Sequence, residues 1–276
     1  MAQLLKPPKT HEPFAPPVRV DGITVRYNDS FALADVSFTL PAGQLIAVVG
    51  PNGAGKTTLF KVIAGALQPL AGSVDVYGHG PHGHICIAYV PQRSQVDWSF
   101  PVTVTEVVMM GRIRKIGFFH WPRPRDWKFV RGALERVGMA EHGARHIGEL
   151  SGGQQQRVFL AQAIAQEAEV VLLDEPLTGL DLPSQETILE VLNELKQAGA
   201  AVVVAMHDLN LAAERFDQIM LLNRRLIAFG TPKEVVTRAT LQDAYGDSLH
   251  VIPDDAVSIL VADDCCGGDE EHFHHE

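Results

Sequence analysis

The chain has 276 residues, room for one large α/β domain or two small ones, with 46% hydrophobic and 20% charged residues as in ordinary globular proteins. Its formal charge is −10, but eight carboxylates and no Lys or Arg lie between Val251 and Glu276, so the remaining body carries only −2. A body that close to neutral excludes a nucleic-acid binder relying on a basic face.

In chain order, residues 1–17 are too proline-rich for a packed element and read as a flexible lead, without the apolar core of a signal peptide. Val18 to Tyr27 and Val36 to Leu40 alternate as strands, the second closed by the turn Pro41-Ala42-Gly43. The apolar run Leu45 to Val49 then leads into Gly50-Pro51-Asn52-Gly53-Ala54-Gly55-Lys56-Thr57-Thr58, and Leu59 to Ile63 continues as a helix. This is G-x-x-x-x-G-K-[ST] in the strand–loop–helix setting that a phosphate-binding loop requires. The glycines let successive backbone N–H groups turn toward phosphate oxygens, and the helix start adds its positive dipole end. Lys56 is expected to reach the β- and γ-phosphates, and the Thr57 hydroxyl to complete a Mg²⁺ shell. The stretch is read as a nucleoside triphosphate site.

Gly72 to Tyr77 and Ile85 to Val90 follow as strands around the turn Gly78 to Gly83, where His79, His82 and the adjacent His84 read as hairpin residues rather than a metal site. From Val102 to Leu150 the spacing turns helical, through Val104, Val107 and Val108 and then Val130, Leu134 and Val137. An aromatic and basic loop, Phe118 to Trp127, joins the two helical parts. Leu150-Ser151-Gly152-Gly153-Gln154 opens the next helix, and two readings stand: a serine N-cap on a flexible turn, or a second phosphate cradle.

Val170 to Leu173 has the continuous apolar character of a strand buried on both faces, and it ends in Asp174-Glu175. Asp174 is placed to orient Mg²⁺ and its waters and Glu175 to polarise an attacking water as general base; the pair also reads as a cap before the next helix. Ile188, Val191, Leu192 and Leu195 form a helical stripe that Gly199 ends, and Ala201 to Met206 is another buried strand. Such alternation means an α/β sheet. Three cysteines, Cys86 and the pair Cys265-Cys266, make no disulfide framework and suit a reducing cytoplasm. No stretch approaches the ~20 apolar residues of a membrane span, so any role at a membrane must come through a partner.

Taken together, these motifs resemble the nucleotide-binding subunit of an ATP-binding cassette (ABC) transporter over roughly residues 18–240. The resemblance implies an α/β P-loop NTPase core of RecA-like type with an antiparallel β subdomain and a helical subdomain at about 95–155, the cassette spanning residues 18–250, with ATP and Mg²⁺ as its ligands. It implies that Leu150 to Gln154 is the signature motif, whose Ser151, Gly152, Gly153 and Gln154 complete the ATP site of a second copy in a head-to-tail homodimer. Tyr27 falls where the family stacks an aromatic ring on adenine. Gln92, in Tyr89-Val90-Pro91-Gln92, resembles the glutamine that senses Mg²⁺ and the attacking water. Gly179-Leu180-Asp181 resembles the loop that crosses the dimer interface, and His207 the histidine that contacts the γ-phosphate. Catalysis would then fall to Glu175, His207 and Gln92, with Thr57, Gln92 and Asp174 around the metal.

The run Val96-Asp97-Trp98-Ser99-Phe100-Pro101-Val102-Thr103-Val104 is similar to the ATPases of bacterial manganese, zinc and iron(II) importers, in the region that docks the membrane subunit's coupling helix. That resemblance implies integral-membrane permease subunits as partners, an extracytoplasmic metal-binding protein reached indirectly, and a peripheral place on the cytoplasmic face of the membrane. Leu209 to Ala213, after His207-Asp208, also occurs in siderophore and cobalamin importers. A non-transport ABC ATPase working on nucleic acid or ribosomes is the alternative from another class. One P-loop, no long coiled coil and a near-neutral body argue against it and against a nucleic-acid partner. In the tail, 251–276, Cys265, Cys266, His272, His274 and His275 sit among carboxylates; this reads either as a transition-metal ligand set or as a solvated acidic extension.

Overall fold

A computed structural model describes residues 15–80, 86–117 and 120–246, together with the backbone of 249–251 and 259–261. The alternation at the start of the chain is real: Val18, Val20, Ile23 and Val25 are buried and their neighbours face outward along β1 (Val18–Tyr27). β1 pairs antiparallel with β2 (Ser30–Leu40) on one side and β4 (Ala71–Asp75) on the other.

The second sheet has six strands. Their order is β5 (Ile87–Val90), β6 (Val170–Asp174), β7 (Ala201–Met206), β3 (Leu45–Val49), β8 (Gln218–Asn223) and β9 (Arg225–Gly230). All neighbours are parallel except β9, which returns antiparallel along β8. β3, β6 and β7 are buried at every position, which is why they read as unbroken apolar runs. Successive residues feed opposite cores: Leu45, Ala47, Val49, Val171, Leu173, Val202 and Val204 into one, and Ile46, Val48, Leu172, Val203 and Ala205 into the other.

The first core is covered by α2 (Val104–Met110), α4 (Pro124–Arg136), α5 (Gly152–Gln166) and α6 (Leu182–Gln197); the second takes α1 (Lys56–Ile63) and the three-stranded sheet. Between α2 and α4 lies the short α3 (Ile113–Ile116). A buried charged knot joins these helices. Arg112 donates to Asp126 on α4 at 3.2 Å, to the Ala165 carbonyl at 2.9 Å and to Glu167 just beyond α5, while its guanidinium lies 4.2 Å from the Phe129 ring centroid. Strands β10 (Leu249–Val251) and β11 (Ile259–Val261) pair antiparallel and cross the position expected to divide cassette from tail.

Register decides where the chemistry can be. Val90 stands beside Leu173, Asp174 beside Ala205, and Val49 beside Met206. Four parallel strands therefore end level with one another. The residues that follow them, Gln92, Glu175, His207 and Gly50, leave the sheet at its carboxyl edge, where open α/β sheets bind ligands.

Candidate nucleotide site

The glycine loop follows β3 and starts α1 from Gly55, which has φ +99°. At Gly55 a Cβ would overlap the Ala32 carbonyl of β2, and at Gly50 one would overlap the Leu222 carbonyl of β8. Both positions thus demand glycine because neighbouring strands press on the loop. Backbone bonds lock it further: Arg224 N–H donates to the Ala54 carbonyl at 2.8 Å and Ala54 N–H to the Pro51 carbonyl at 3.1 Å. Lys56 is buried and curls back over the loop, donating to the Gly50 carbonyl at 2.6 Å and the Pro51 carbonyl at 3.2 Å.

A cleft opens over this loop, lined by Asn52, Gly53, Ala54, Gly55, Lys56, Thr57 and Thr58, with Tyr27, Ala32 and Glu175 as its walls. Tyr27 arrives from the end of β1, with its ring about half exposed. The sequence alone could not bring it there; the packing of β2 against Gly55 does.

Glu175 follows β6 with φ +53°, a left-handed conformation that is strained for a residue with a side chain. Its carboxylate is held from both sides, by the Gln92 amide at 2.8 Å and by His207 Nε2 at 2.6 Å. The His207 hydrogen bond, with the His207 and Lys56 charges and Gln92, outweighs burial and holds the Glu175 carboxyl below its usual range. Three residues expected to work together are thus in direct contact.

Asp174 is the counterpart. It is 1% exposed, and neither carboxylate oxygen has a hydrogen-bond partner within ordinary geometry. Burial pushes its carboxyl up, the Glu175 charge adds to that, and the nearby Thr57 hydroxyl and Lys56 pull against it. A buried carboxylate with no cation or backbone N–H bonded to it, beside the Thr57 and Tyr89 hydroxyls, fits a hard divalent cation with oxygen ligands, so these residues suit Mg²⁺.

The signature stretch is elsewhere. Ser151 caps α5 in a reciprocal box, its N–H donating to Gln154 Oε1 at 3.0 Å and its Oγ accepting from Gln154 N–H at 3.4 Å. Gly153 packs against Ser184 and Leu180, near exposed Asp181. Among the described residues, none from Ser151 to Gln154 lines the cleft over the glycine loop, nor does Asp181. The capping reading holds within this chain, and the phosphate-cradle reading requires a second one.

Two residues escaped the sequence reading. Arg93, next to Gln92, donates to Gln155 Oε1 at 2.9 Å, accepts the Trp98 indole N–H on its carbonyl at 3.0 Å, and lies against Gly152. It ties the segment after β5 to the start of α5, a link no spacing foretells. Tyr89 carries a buried hydroxyl, and burial together with the Asp174 charge holds its phenol above the usual range. Its signal was a polar tip in a buried strand. The tail residues Cys265, Cys266, His272, His274 and His275, with His82 and His84, lie outside the described residues, and among the described ones no group of three His, Cys, Asp or Glu could hold a metal ion.

A parallel sheet, a glycine loop with its lysine and threonine, and an acidic pair closing a neighbouring strand define a P-loop nucleoside triphosphate hydrolase. The family model described as "ABC transporter" matches residues 33–178. Similar over most of their length are the manganese transport system ATP-binding protein MntB of Bacillus subtilis (strain 168), 44% identical over 86% of this chain and 96% of that one, and the zinc transport system ATP-binding protein TroB of Treponema pallidum (strain Nichols), 45% identical over 84% and 88%. Among solved structures, an ABC transporter in an inward-facing conformation is similar with a TM-score of 0.73, at 29% identity over 83% of this chain and 88% of that one. The chain belongs to the ABC transporter ATP-binding family, and its activity is ATP hydrolysis.

Proposed function

We propose that this chain is the ATP-hydrolysing subunit of an importer for a divalent transition metal ion, manganese, zinc or iron(II). The observation that carries the reading is 44–45% identity along nearly the whole of proteins described as manganese and zinc transport ATP-binding proteins. In this reading the amides of Gly53 to Thr58 and the Lys56 ammonium bind the β- and γ-phosphates, and Tyr27 stacks on the base. Thr57, Asp174 and Gln92 would hold Mg²⁺, which when bound neutralises phosphate charge. Glu175 accepts the proton of the attacking water; Gln92 and His207, now hydrogen-bonded to it, release it to do so and turn to the γ-phosphate.

The site as it stands is one-sided, and this supports a head-to-tail homodimer in which Ser151, Gly152, Gly153 and Gln154 of a second copy close over the phosphates, with Asp181 at the interface. No described helix is long and apolar enough to cross a membrane. Work on cargo then needs permease subunits, with the chain on the cytoplasmic face and the metal-binding protein reached through them. The test is reconstitution with a permease and binding protein encoded beside this chain. ATP turnover should be stimulated by the binding protein loaded with Mn²⁺, Zn²⁺ or Fe²⁺. Stimulation by a siderophore or cobalamin instead, with none by the metals, would overturn the cargo.

A further inference from the structure

Between Ile113 and Arg131 the chain carries Arg114, Lys115, Arg123, Arg125, Lys128 and Arg131 against the single carboxylate Asp126, a net of +5 in a protein of −10. Asp126 is buried on Arg112 and Lys115 is paired with Glu167, so the exposed charge of this stretch is carried by its arginines and Lys128. Large apolar side chains stand among them: Trp121 is 88% exposed, Ile113 50%, Trp127 47% and Phe129 40%. Helix α4 sets the part from Arg125 to Arg131. Burying Val130, Ala133 and Leu134 turns Arg125, Lys128 and Arg131 outward, and the 100° step leaves Trp127 and Phe129 on opposite borders of that basic face.

We propose that this face is a contact surface for anionic lipid headgroups. Indole rings settle at headgroup depth because one edge is polar and the rest apolar, and Lys and Arg beside them draw anionic phosphates. An acidic peptide would satisfy the cations and leave Trp121 and Trp127 in water. A long polyanion such as nucleic acid would run past the patch onto a body whose other residues, those of 251–276 left aside, sum to −7. A bilayer presents negative charge and an apolar interior at one depth, matching both halves of the surface. The inference rests on the membrane placement proposed above and is independent of the cargo.

The experiment uses purified full-length protein without permease, sedimented with vesicles of phosphatidylcholine alone or mixed with phosphatidylglycerol. Binding should occur to the mixed vesicles, weaken with added salt, and fall about tenfold or more in an Arg125→Glu/Lys128→Glu variant. Trp121→Ser, whose side chain lies in solvent, should also weaken binding with basal ATPase activity unchanged. Equal binding to both vesicle types, or binding that the variants leave intact, overturns the proposal. So does a wild type that ignores vesicles while the double variant no longer co-purifies with the permease; that result makes the face a protein interface and leaves the transport reading standing. Vesicle binding as expected, with no metal-dependent stimulation of the reconstituted complex, would sink the metal-cargo reading alone.

Discussion

Glu175 spends its two carboxylate oxygens on Gln92 and His207, so in the proposed reaction both contacts must open before it can act as base. Glu175→Gln keeps the size of the side chain and removes its basicity. Turnover should fall roughly 10²- to 10⁴-fold, while ATP affinity, measured by equilibrium binding, stays close to that of the wild type; undiminished turnover would remove Glu175 from the role. Gly50 makes a different demand. Its missing Cβ is the space taken by the Leu222 carbonyl, so Gly50→Ala must push the loop from β8. Loss of ATP binding together with a lowered Tm is expected. The P-loop glycines were legible from their motif, but the strand that enforces Gly50 lies about 170 residues onward and only the fold reveals it.

At the scale of elements, the knot around Arg112 holds α2, α4 and the end of α5 as one body. Asp126→Asn removes the charge facing a buried guanidinium and should cost about 3–5 kcal/mol, read by chemical denaturation. Burial raises the Asp126 carboxyl, but the Arg123 N–H and the Arg112 guanidinium outweigh it and hold the group below its ordinary range. A depressed carboxyl stabilises fully above its unfolded pKa of about 3.9 and loses that contribution as pH falls through the lower folded value. Acid unfolding of the wild type should therefore show a loss below about pH 4 that the Asn variant lacks. Ser151 separates two roles on one element. As the N-cap of α5, Ser151→Ala should cost about 1 kcal/mol; if it also serves the site of a second copy, turnover should fall far more than that loss of stability explains.

For the whole molecule, the shared site proposed above predicts a cycle of association. Light scattering of Glu175→Gln with ATP and Mg²⁺ should show dimers, and chelating the Mg²⁺ should return monomers; a monomer under both conditions would argue against a shared site. The cassette's class could be read from chain order alone because its motifs are local: a loop and its helix, a buried strand and the carboxylates that end it, a serine and the helix it caps each lie within about a dozen residues. Apolar runs at β3, β6 and β7 announced burial on both faces, and glycines with Lys56 and Thr57 announced phosphate. Contact was another matter. Gln92 meets Glu175 across 83 residues, and His207 meets it across 32. Those contacts follow from the strand order β5-β6-β7-β3 and from level strand ends, and a linear chain does not encode which strands lie side by side. The same reason hid Arg93's reach to α5 and the burial of Asp174 beside Thr57. Local residue chemistry specifies what each segment can bind, and packing of distant segments decides which of them act together.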